Sequence, residues 1–181
     1  MRHLLAPLAL GLALIGTGHA QSNDQEALLF MADMQGRFVA PAAVETAASA
    51  RASAVLIGNR FTVHGSFTGL SSALRDINKK PEDPGVHLHR GAPGVTTPYF
   101  HGLQVALNDD ERSGIFHGVA TLTNEQKQAV LGGEAYVDIH TVTFGPGEVR
   151  GQWTPVDPKA AARLLGGLEP AAPIAHETCH R

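Results

Sequence analysis

Residues Ala52 to Phe67 read ASAVLIGNRFTVHGSF, and this stretch decides the fold class. Apolar and polar side chains alternate on both sides of Gly58-Asn59, which predicts two short strands joined by a turn. Segments of the same kind recur between glycine, proline, asparagine and aspartate residues. The predicted strands are Ala27 to Met34, Ala52 to Ile57, Arg60 to Phe67, Val86 to His89, Phe100 to Leu107, Gly114 to Leu122, Ala135 to Val142 and Glu148 to Trp153. The pattern therefore predicts an all-β fold, an antiparallel sandwich or barrel with Greek-key connections.

Two segments outside the strands predict short peripheral helices. Thr123-Asn124-Glu125-Gln126 is a capping box ahead of Lys127 to Leu131, and Gly132-Gly133 ends that helix. A second, alanine-rich helix is predicted from Pro158 to Leu165. Apolar positions of the strands supply the predicted core, which comprises Val63, Phe67, Val86, Leu88, Leu122, Val137, Ile139 and Val149.

The first twenty residues have the composition of a secretory leader. A weakly basic start is followed by an apolar run from Leu4 to Ile15 and by a small-residue cleavage pattern that ends at Ala20. The run is too short for a membrane span, which needs about 20 apolar residues, and no second run follows. We therefore expect a leader over 1–20, one β domain over 21–157, and a short helix with a flexible tail over 158–181. The mature chain is expected in the periplasm or outside the cell.

Composition excludes several classes of function. The chain has a net charge of −3 and no basic run, so nucleic acid is not an expected partner, and no protein partner is indicated. It also lacks a glycine-rich phosphate loop and the nucleophile elbow of a hydrolase. Histidine stands out instead: ten are present, and eight remain once His3 and His19 of the leader are subtracted. Because imidazole is a common metal ligand, these residues indicate metal binding.

The segment Val86-His87-Leu88-His89 places two histidines two residues apart in a predicted strand. Because side chains alternate across a strand, both imidazoles lie on one face and both apolar side chains on the other. Two imidazoles on one face can hold one metal ion. Two exposed polar residues on a half-buried strand would give the same pattern.

The segment from Tyr136 to Thr141 repeats this arrangement. Val137 and Ile139 are expected to face the core. Asp138 and His140 then face away from it. The carboxylate could hydrogen-bond a ligand imidazole and fix its tautomer, or it could be a solvated charge.

The remaining histidines are weaker candidates. Three of them stand between an apolar residue and a glycine, namely His64, His101 and His117. His101 is the best placed as a fourth ligand because it follows the loop after His89, and the other two are alternative ligands or neighbours of the site. A further set at the end of the chain comprises His176, Cys179 and His180. A thiolate with two imidazoles would favour capture of Cu(I).

Several of these motifs together resemble the CHRD (chordin) domain. They are Phe67-Thr68-Gly69-Leu70, Val86 to Gly94, Leu122-Thr123, Tyr136 to Thr141 and Pro146 to Gln152, in that order. The resemblance covers roughly residues 26 to 154. The closing GEVRGQ segment, beside Ile139-His140-Thr141, makes it specific. Many such domains have no assigned chemistry, so the resemblance itself implies little about activity.

A second resemblance bears on mechanism. Copper/zinc superoxide dismutases carry a Gly-Leu pair, a His-x-His strand, an apolar strand that ends in histidine, and an arginine before a glycine, in this order. The similar positions here are Gly69-Leu70, His87 and His89, Val137 to His140, and Arg150-Gly151. This similarity implies a β-barrel like theirs, with copper held by His87, His89 and His140, and His101 as the fourth ligand. It also implies that Arg150 guides a small anion, superoxide, to the metal.

Two departures limit the second resemblance. The single Cys179 cannot form the intrasubunit disulfide of those enzymes. The loop from Gly91 to Phe100 is also too short and too poor in histidine to form their zinc site. The resemblance therefore implies a copper-only site, with zinc as the other metal that imidazoles accept.

The resulting hypothesis is an exported copper-binding domain that acts as a copper-dependent superoxide dismutase. Two alternatives stay open on the sequence: a non-catalytic copper carrier or buffer, and a structural or adhesion module without metal. Arg150 also has an alternative role, an ion pair with Glu148 two residues earlier on the same strand face.

Overall fold

The computed structural model describes residues 26–75, 85–157 and 159. This part of the chain contains ten strands, a 3-10 turn over Gly36–Phe38 and one α-helix. The strands are β1 (Ala27–Gln35), β2 (Ser49–Ile57), β3 (Arg60–Thr68), β4 (Val86–Arg90), β5 (Tyr99–Gly102), β6 (Gln104–Leu107), β7 (Gly114–Thr121), β8 (Ala135–Ile139), β9 (Val149–Gln152) and β10 (Thr154–Pro155), and the helix is α1 (Asn124–Leu131). Apart from Lys159, the expected leader, C-terminal helix and tail lie outside the described residues.

The strands form one antiparallel sheet that is nearly closed into a barrel. Its order is β5-β4-β8-β9-β1-β2-β3-β7-β6, and β10 pairs with β1. The two strands at the ends of this order, β5 and β6, are joined in the chain by Leu103 alone. The amide of Leu103 donates to the carbonyl of Val86 on β4 at 2.8 Å. One continuous segment therefore connects the two ends of the sheet, and the all-β antiparallel prediction is confirmed.

The hairpin from β2 to β3 forms as the alternating pattern predicts. Ile57 pairs with Arg60 across the two-residue turn. Gly58 has a φ of 61°, a left-handed conformation that glycine adopts without steric cost. The inward positions of both strands are buried and the outward ones are largely exposed. The strand period of two thus places one face of this hairpin in the core.

The core of the barrel contains every apolar residue predicted for it. All eight have an exposed fraction of 4% or less, namely Val63, Phe67, Val86, Leu88, Leu122, Val137, Ile139 and Val149. Phe61 packs edge-on against Trp153 with ring centroids 5.3 Å apart. The core also includes Phe30, Ala54 and Phe116 from β1, β2 and β7, so the interior is a packed core rather than a channel.

Helix α1 begins and ends where the capping signals predict. The Thr123 hydroxyl accepts a hydrogen bond from the backbone N–H of Gln126 at 3.2 Å, and the Gln126 side chain accepts one from the N–H of Thr123 at 2.8 Å. Gly132 is the C-cap residue. No helix in the described ranges is both long enough and apolar enough to span a membrane.

Several strand ends differ from the prediction, and two of the differences have a clear physical cause. The predicted strand from Phe100 to Leu107 is two strands, because Leu103 turns into the core and is fully buried there. The strand predicted to run to Val142 ends at Ile139, because the N–H of His140 donates to the carbonyl of Gly85 instead of a neighbouring strand. Both differences arise from contacts between distant parts of the chain.

Candidate metal centre

Strands β4 and β8 are antiparallel neighbours, and their register brings polar residues together. His87 pairs with Asp138, and His89 pairs with Tyr136. Paired residues project to the same face of a sheet, so these side chains lie opposite the face that enters the core. His140 directly follows β8 on the same side.

The outer face of β4 and β8 is covered rather than exposed to solvent. The exposed fractions of His87, His89 and Asp138 are 4%, 5% and 5%. The loop that follows β4 provides the cover, because the Thr97 carbonyl contacts Nδ1 of His89 at 2.8 Å. The N–H of Thr97 also donates to the Tyr136 hydroxyl at 3.3 Å. These histidines are therefore partners in a buried polar site.

Three imidazoles and one carboxylate converge at this site. One ligand atom from each of His87, His89, Asp138 and His140 lies within 4.8 Å of all the others. Oδ1 of Asp138 is 3.0 Å from Nε2 of His89, 3.0 Å from Nε2 of His140 and 3.9 Å from Nδ1 of His87. Ligands bonded to one tetrahedral ion at about 2.0–2.1 Å stand about 3.3 Å apart. The three distances from Oδ1 of Asp138 lie on both sides of that value, from 3.0 to 3.9 Å.

Backbone carbonyls fix the tautomers of two of the histidines. Nδ1 of His89 lies 2.8 Å from the Thr97 carbonyl, and Nδ1 of His140 lies 2.7 Å from the Gly145 carbonyl. A carbonyl oxygen can only accept, so each Nδ1 carries a proton and donates. In the neutral rings, Nε2 then has a lone pair directed at the centre of the cluster. This is the arrangement in which a second hydrogen bond orients a metal-ligating imidazole.

The charges of the cluster are strongly coupled. Burial by itself raises the pKa of Asp138, but contacts with His140 and His89 outweigh it and lower the pKa to about 2. Burial likewise lowers the pKa of His140, but the contact with Asp138 outweighs it and raises that pKa above its usual 6.5. The carboxylate is therefore ionised at neutral pH and attracts positive charge to the cluster.

The residues present fit a divalent cation. Nε2 of His140 is buried and lies near Asp138, but the contact lacks the directional geometry of a hydrogen bond. With Nδ1 already donating, a neutral ring directs a lone pair at the carboxylate, which is unfavourable unless a proton or a metal ion lies between them. A cation at the centre would satisfy Nε2 of His140 and the carboxylate at once, and it would replace the 3.0 Å hydrogen-bond contact between Nε2 of His89 and Asp138.

A cavity of about 200 Å³ adjoins the cluster. Its lining includes His87, His89 and His140, together with Arg75 and Tyr99. The Tyr99 ring stacks on His87 with centroids 4.3 Å apart and is 41% exposed. The three histidines therefore line a cavity with room for a small molecule, beside an arginine and a tyrosine.

Backbone pairing holds Arg75 at this cavity. Its N–H donates to the carbonyl of His140 at 3.0 Å, and its guanidinium donates to the carbonyl of Gly145 at 2.8 Å. Gly85 passes beside it with a φ of +78°, and a Cβ there would lie 2.8 Å from the Arg75 carbonyl. Arg75 stands in no motif, so no sequence signal singles it out.

Comparison with known protein families shows to which family the chain belongs. The CHRD domain family matches residues 30–153, a range that contains the whole cluster. The chain belongs to the CHRD family. No curated protein and no solved structure gives a significant match, so the second resemblance, to copper/zinc superoxide dismutases, is not borne out.

Arg150 of this CHRD domain packs on the ring of Tyr136. Its guanidinium Cζ lies 3.5 Å from the ring centroid of Tyr136, and His89 stacks on the same ring with centroids 4.4 Å apart. Only opposite faces of the ring can hold both groups at these distances. The guanidinium donates at 2.9–3.0 Å to the carbonyls of Val95 and Ala92 and to the Gln152 side chain. Tyr136 therefore separates Arg150 from His89, whereas Arg150 pairs directly with Asp138 across β8 and β9 and holds the covering loop.

Glu148 does not form the ion pair with Arg150 that the sequence offered as an alternative. It is fully buried and accepts four hydrogen bonds. The donors are the Thr46 hydroxyl at 2.7 Å, the Ser71 N–H at 2.9 Å, the Ser71 hydroxyl at 3.0 Å and the Thr141 hydroxyl at 2.8 Å. The carboxylate thus ties together three segments that are distant in the sequence.

The other candidate ligands of the CHRD domain lie away from the cluster or outside the described residues. His101, expected as the fourth ligand, pairs with Leu88 and so lies on the face of β4 opposite His87. Asp138 is the fourth member in its place. His64 and His117 lie on β3 and β7, on another side of the barrel. The tail residues His176, Cys179 and His180 are not among the described residues.

Without metal, the stability of the CHRD domain should depend on pH through this cluster. The lowered pKa of Asp138 stabilises the fold above pH 3.8, and this stabilisation is lost as the pH falls towards 2. The raised pKa of His140 stabilises the fold below pH 6.5, and this stabilisation is lost as the pH rises through the folded value. Urea unfolding with a chelator present should therefore give lower stability at pH 8.5 than at pH 5.5. In His140→Gln, the loss of stability between pH 5.5 and pH 8.5 should be smaller than in the wild type. An equally large loss would show that His140 is not its cause.

Proposed function

We propose that this CHRD domain binds a copper ion through His87, His89, His140 and Asp138 and uses it to act on superoxide. The observation that carries the proposal is the convergence of three imidazoles and one carboxylate within 4.8 Å in a buried site. Such a set of groups is costly to bury without a cation, because each buried charge or lone pair needs a partner.

Copper is the metal we propose, for two reasons. Affinity for divalent first-row metals at sites with nitrogen and oxygen ligands rises to a maximum at Cu²⁺. Copper also supplies one-electron cycling, which zinc cannot, and zinc is the alternative occupant if the site has no redox role. The ionised carboxylate of Asp138 would balance one of the two positive charges of the ion.

The cavity favours a catalytic site over a structural one. Structural metal sites are closed by their protein ligands, whereas catalytic sites leave a position open to substrate. Here the three histidines line a cavity of about 200 Å³, which leaves room for a small anion. A carrier must also release its metal, and the burial of three of the four ligands, with exposed fractions of 4–5% under a pinned loop, does not favour release.

The proposed reaction is the dismutation of superoxide. One superoxide gives up an electron and leaves as dioxygen, and a second takes up that electron with two protons and leaves as hydrogen peroxide. In this proposal Arg75 draws the anion into the cavity, since an arginine at a cleft raises the local concentration of anions. Arg75 thus takes the role that the resemblance assigned to Arg150, and Arg150 keeps the covering loop in place.

We also propose that residues 1–20 export the domain to the periplasm or the cell exterior, and that residues 21–157 form the functional unit. The composition of the leader supports this part of the proposal. Tail residues His176, Cys179 and His180 are proposed as an accessory set of ligands that captures Cu(I).

The role of Arg75 supplies the test of this activity. Arg75→Gln should leave the copper content unchanged but lower the superoxide dismutation rate by about tenfold or more at low ionic strength, because electrostatic steering is lost. The rate should also depend less on salt, since a Debye length of about 8–10 Å screens the remaining charges. Stopped-flow decay of superoxide, measured on copper-loaded protein from 10 mM to about 200 mM salt, gives both quantities.

Arg60→Gln is the matched control, because it removes the same charge from an exposed position on β3. It should leave the rate nearly unchanged. If the copper-loaded wild-type protein dismutates superoxide no faster than free copper does, the enzyme proposal fails and the carrier remains. If both variants slow the reaction equally, net charge rather than Arg75 is responsible.

A further inference from the structure

His64 and His117 form a pair on the outer surface of the barrel. Strands β3 and β7 are antiparallel, and the two histidines are directly opposite each other in the register. Their rings are stacked with centroids 6.2 Å apart and planes inclined by 22°. Both side chains are exposed, because the core faces of these strands are occupied by Val63 and Phe116.

This pair is separate from the central cluster. In the sheet order, β8, β9, β1 and β2 lie between β4, which carries His87, and β3, which carries His64. The pair is also solvent-exposed, whereas the cluster is buried. A metal ion held here would therefore be a second ion.

The geometry of a cross-strand pair suits chelation. Residues directly opposite each other on antiparallel strands have Cβ atoms about 4.5–5.5 Å apart. Two imidazole nitrogens bonded to one ion at about 2.0–2.1 Å lie at most about 4 Å apart. Rotation of the two exposed side chains about χ1 and χ2 can close this gap, since no core packing holds them. The rigid strands keep both rings at the same site.

The neighbouring residues favour a small hydrated cation as the ligand. The same cross-strand row continues through Ser53 beside His64 and Gln104 beside His117, and both are exposed. Their side chains offer neutral oxygen atoms, and water can complete the coordination. The nearest charged row carries Arg51 and Asp33, which form a 3.6 Å ion pair with each other and largely cancel.

We propose that His64 and His117 form a second, surface metal site that chelates a single borderline divalent cation. With two imidazoles and water as ligands, the site binds Cu²⁺ more tightly than Ni²⁺, as the order of affinities for nitrogen ligands requires. It exchanges its ion with solvent faster than the buried cluster does. The protein therefore carries metal at two places with different affinities.

The test is the non-additivity of two single substitutions. His64→Ala, His117→Ala and the double variant are titrated with Ni²⁺ by calorimetry, as full-length proteins beside the wild type. In each single variant, the weaker of the two Ni²⁺ sites should bind with an affinity lower by about tenfold or more, because chelation needs both rings. At the concentrations of the titration, this appears as the loss of one equivalent of bound Ni²⁺. The double variant should lose no more than either single variant. His101→Ala is the control, since it removes one histidine outside both sites.

Each outcome decides the proposal. Both histidines are exposed, so the substitutions should change the free energy of unfolding by no more than about 0.5 kcal/mol, and thermal unfolding verifies this. If the single variants each lose half as much as the double variant, the two rings bind metal independently and there is no shared site. If none of the three differs from His101→Ala, the pair does not bind metal. A titration with Cu²⁺ that gives weaker binding than Ni²⁺ would also overturn the proposal.

Discussion

The variant His87→Ala is expected to bind no metal ion at the central cluster and to lose the stability that the ion confers. A ligand that binds only the folded state at a free concentration of 100 Kd stabilises it by about 2.7 kcal/mol. For a domain of this size, that corresponds to a melting temperature about 5–10 °C higher with copper than without it. The substitution should remove this difference. Metal analysis after dialysis and thermal unfolding with and without Cu²⁺ measure both effects.

His101→Ala is the control for this prediction, because His101 lies on the opposite face of the same strand pair. It should retain the metal-dependent rise in melting temperature even if its own melting temperature is lower. Asp138→Asn extends the comparison, since it keeps the size of the side chain but removes the charge that balances the cation. A wild-type protein that melts at the same temperature with and without copper would show that the cluster does not hold the metal.

The variant Glu148→Ala is expected to lower the free energy of unfolding by about 3 kcal/mol, because several buried neutral donors lose their acceptor and each unsatisfied group costs about 1–3 kcal/mol. The side chain accepts four hydrogen bonds, and its removal leaves the Ser71 N–H and three hydroxyl groups without their acceptor. Urea unfolding monitored by tryptophan fluorescence measures the loss, since the single Trp153 is buried in the core.

Glu148→Gln should be considerably milder. The amide oxygen can replace Oε1, and the hydroxyl groups of Ser71 and Thr141 can rotate to accept from the amide NH₂. The exposed Glu125→Ala is the matched control for loss of a carboxylate, and it should cost no more than about 1 kcal/mol because its ion pair with Arg90 is at the surface. Equal losses in Glu148→Ala and Glu125→Ala would contradict the role described for the buried carboxylate.

The strands and the core are predictable from sequence because they depend on local alternation. Positions such as Val63 and Leu88 recur with the strand period, and the turn at Gly58-Asn59 carries its own signal. The corner at Leu103 has no such signal. The chain breaks between β5 and β6 at this corner because the barrel closes there. The segment that contains both strands must pair first with β4, through β5, and then with β7, through β6. Alternation alone cannot reveal such long-range geometry.

Some features of the candidate site are likewise predictable from the sequence, and others are not. The shared face of His87 and His89 follows from their spacing, but the burial of that face does not, because it depends on where the loop carrying Thr97 folds. The roles of the two arginines also depend on the tertiary structure, so the sequence alone does not reveal them. Arg150 stands in a motif yet holds the loop, whereas Arg75 stands in none yet lines the cavity.

The position of β1 sets the order in which the domain can be assembled. The strand lies between β2 and β9, and Gln35 pairs with Arg150, a separation of 150 − 35 = 115 residues. Contacts between such distant residues slow folding, because the entropy of closing the intervening chain must be lost first. A chain synthesised or transported from its N-terminus therefore leaves one edge of β1 without a partner until nearly all of the domain has followed. The hydrogen bonds that Arg150 donates to the loop over the histidines also form only after this late segment is present, so we expect metal to bind late in folding.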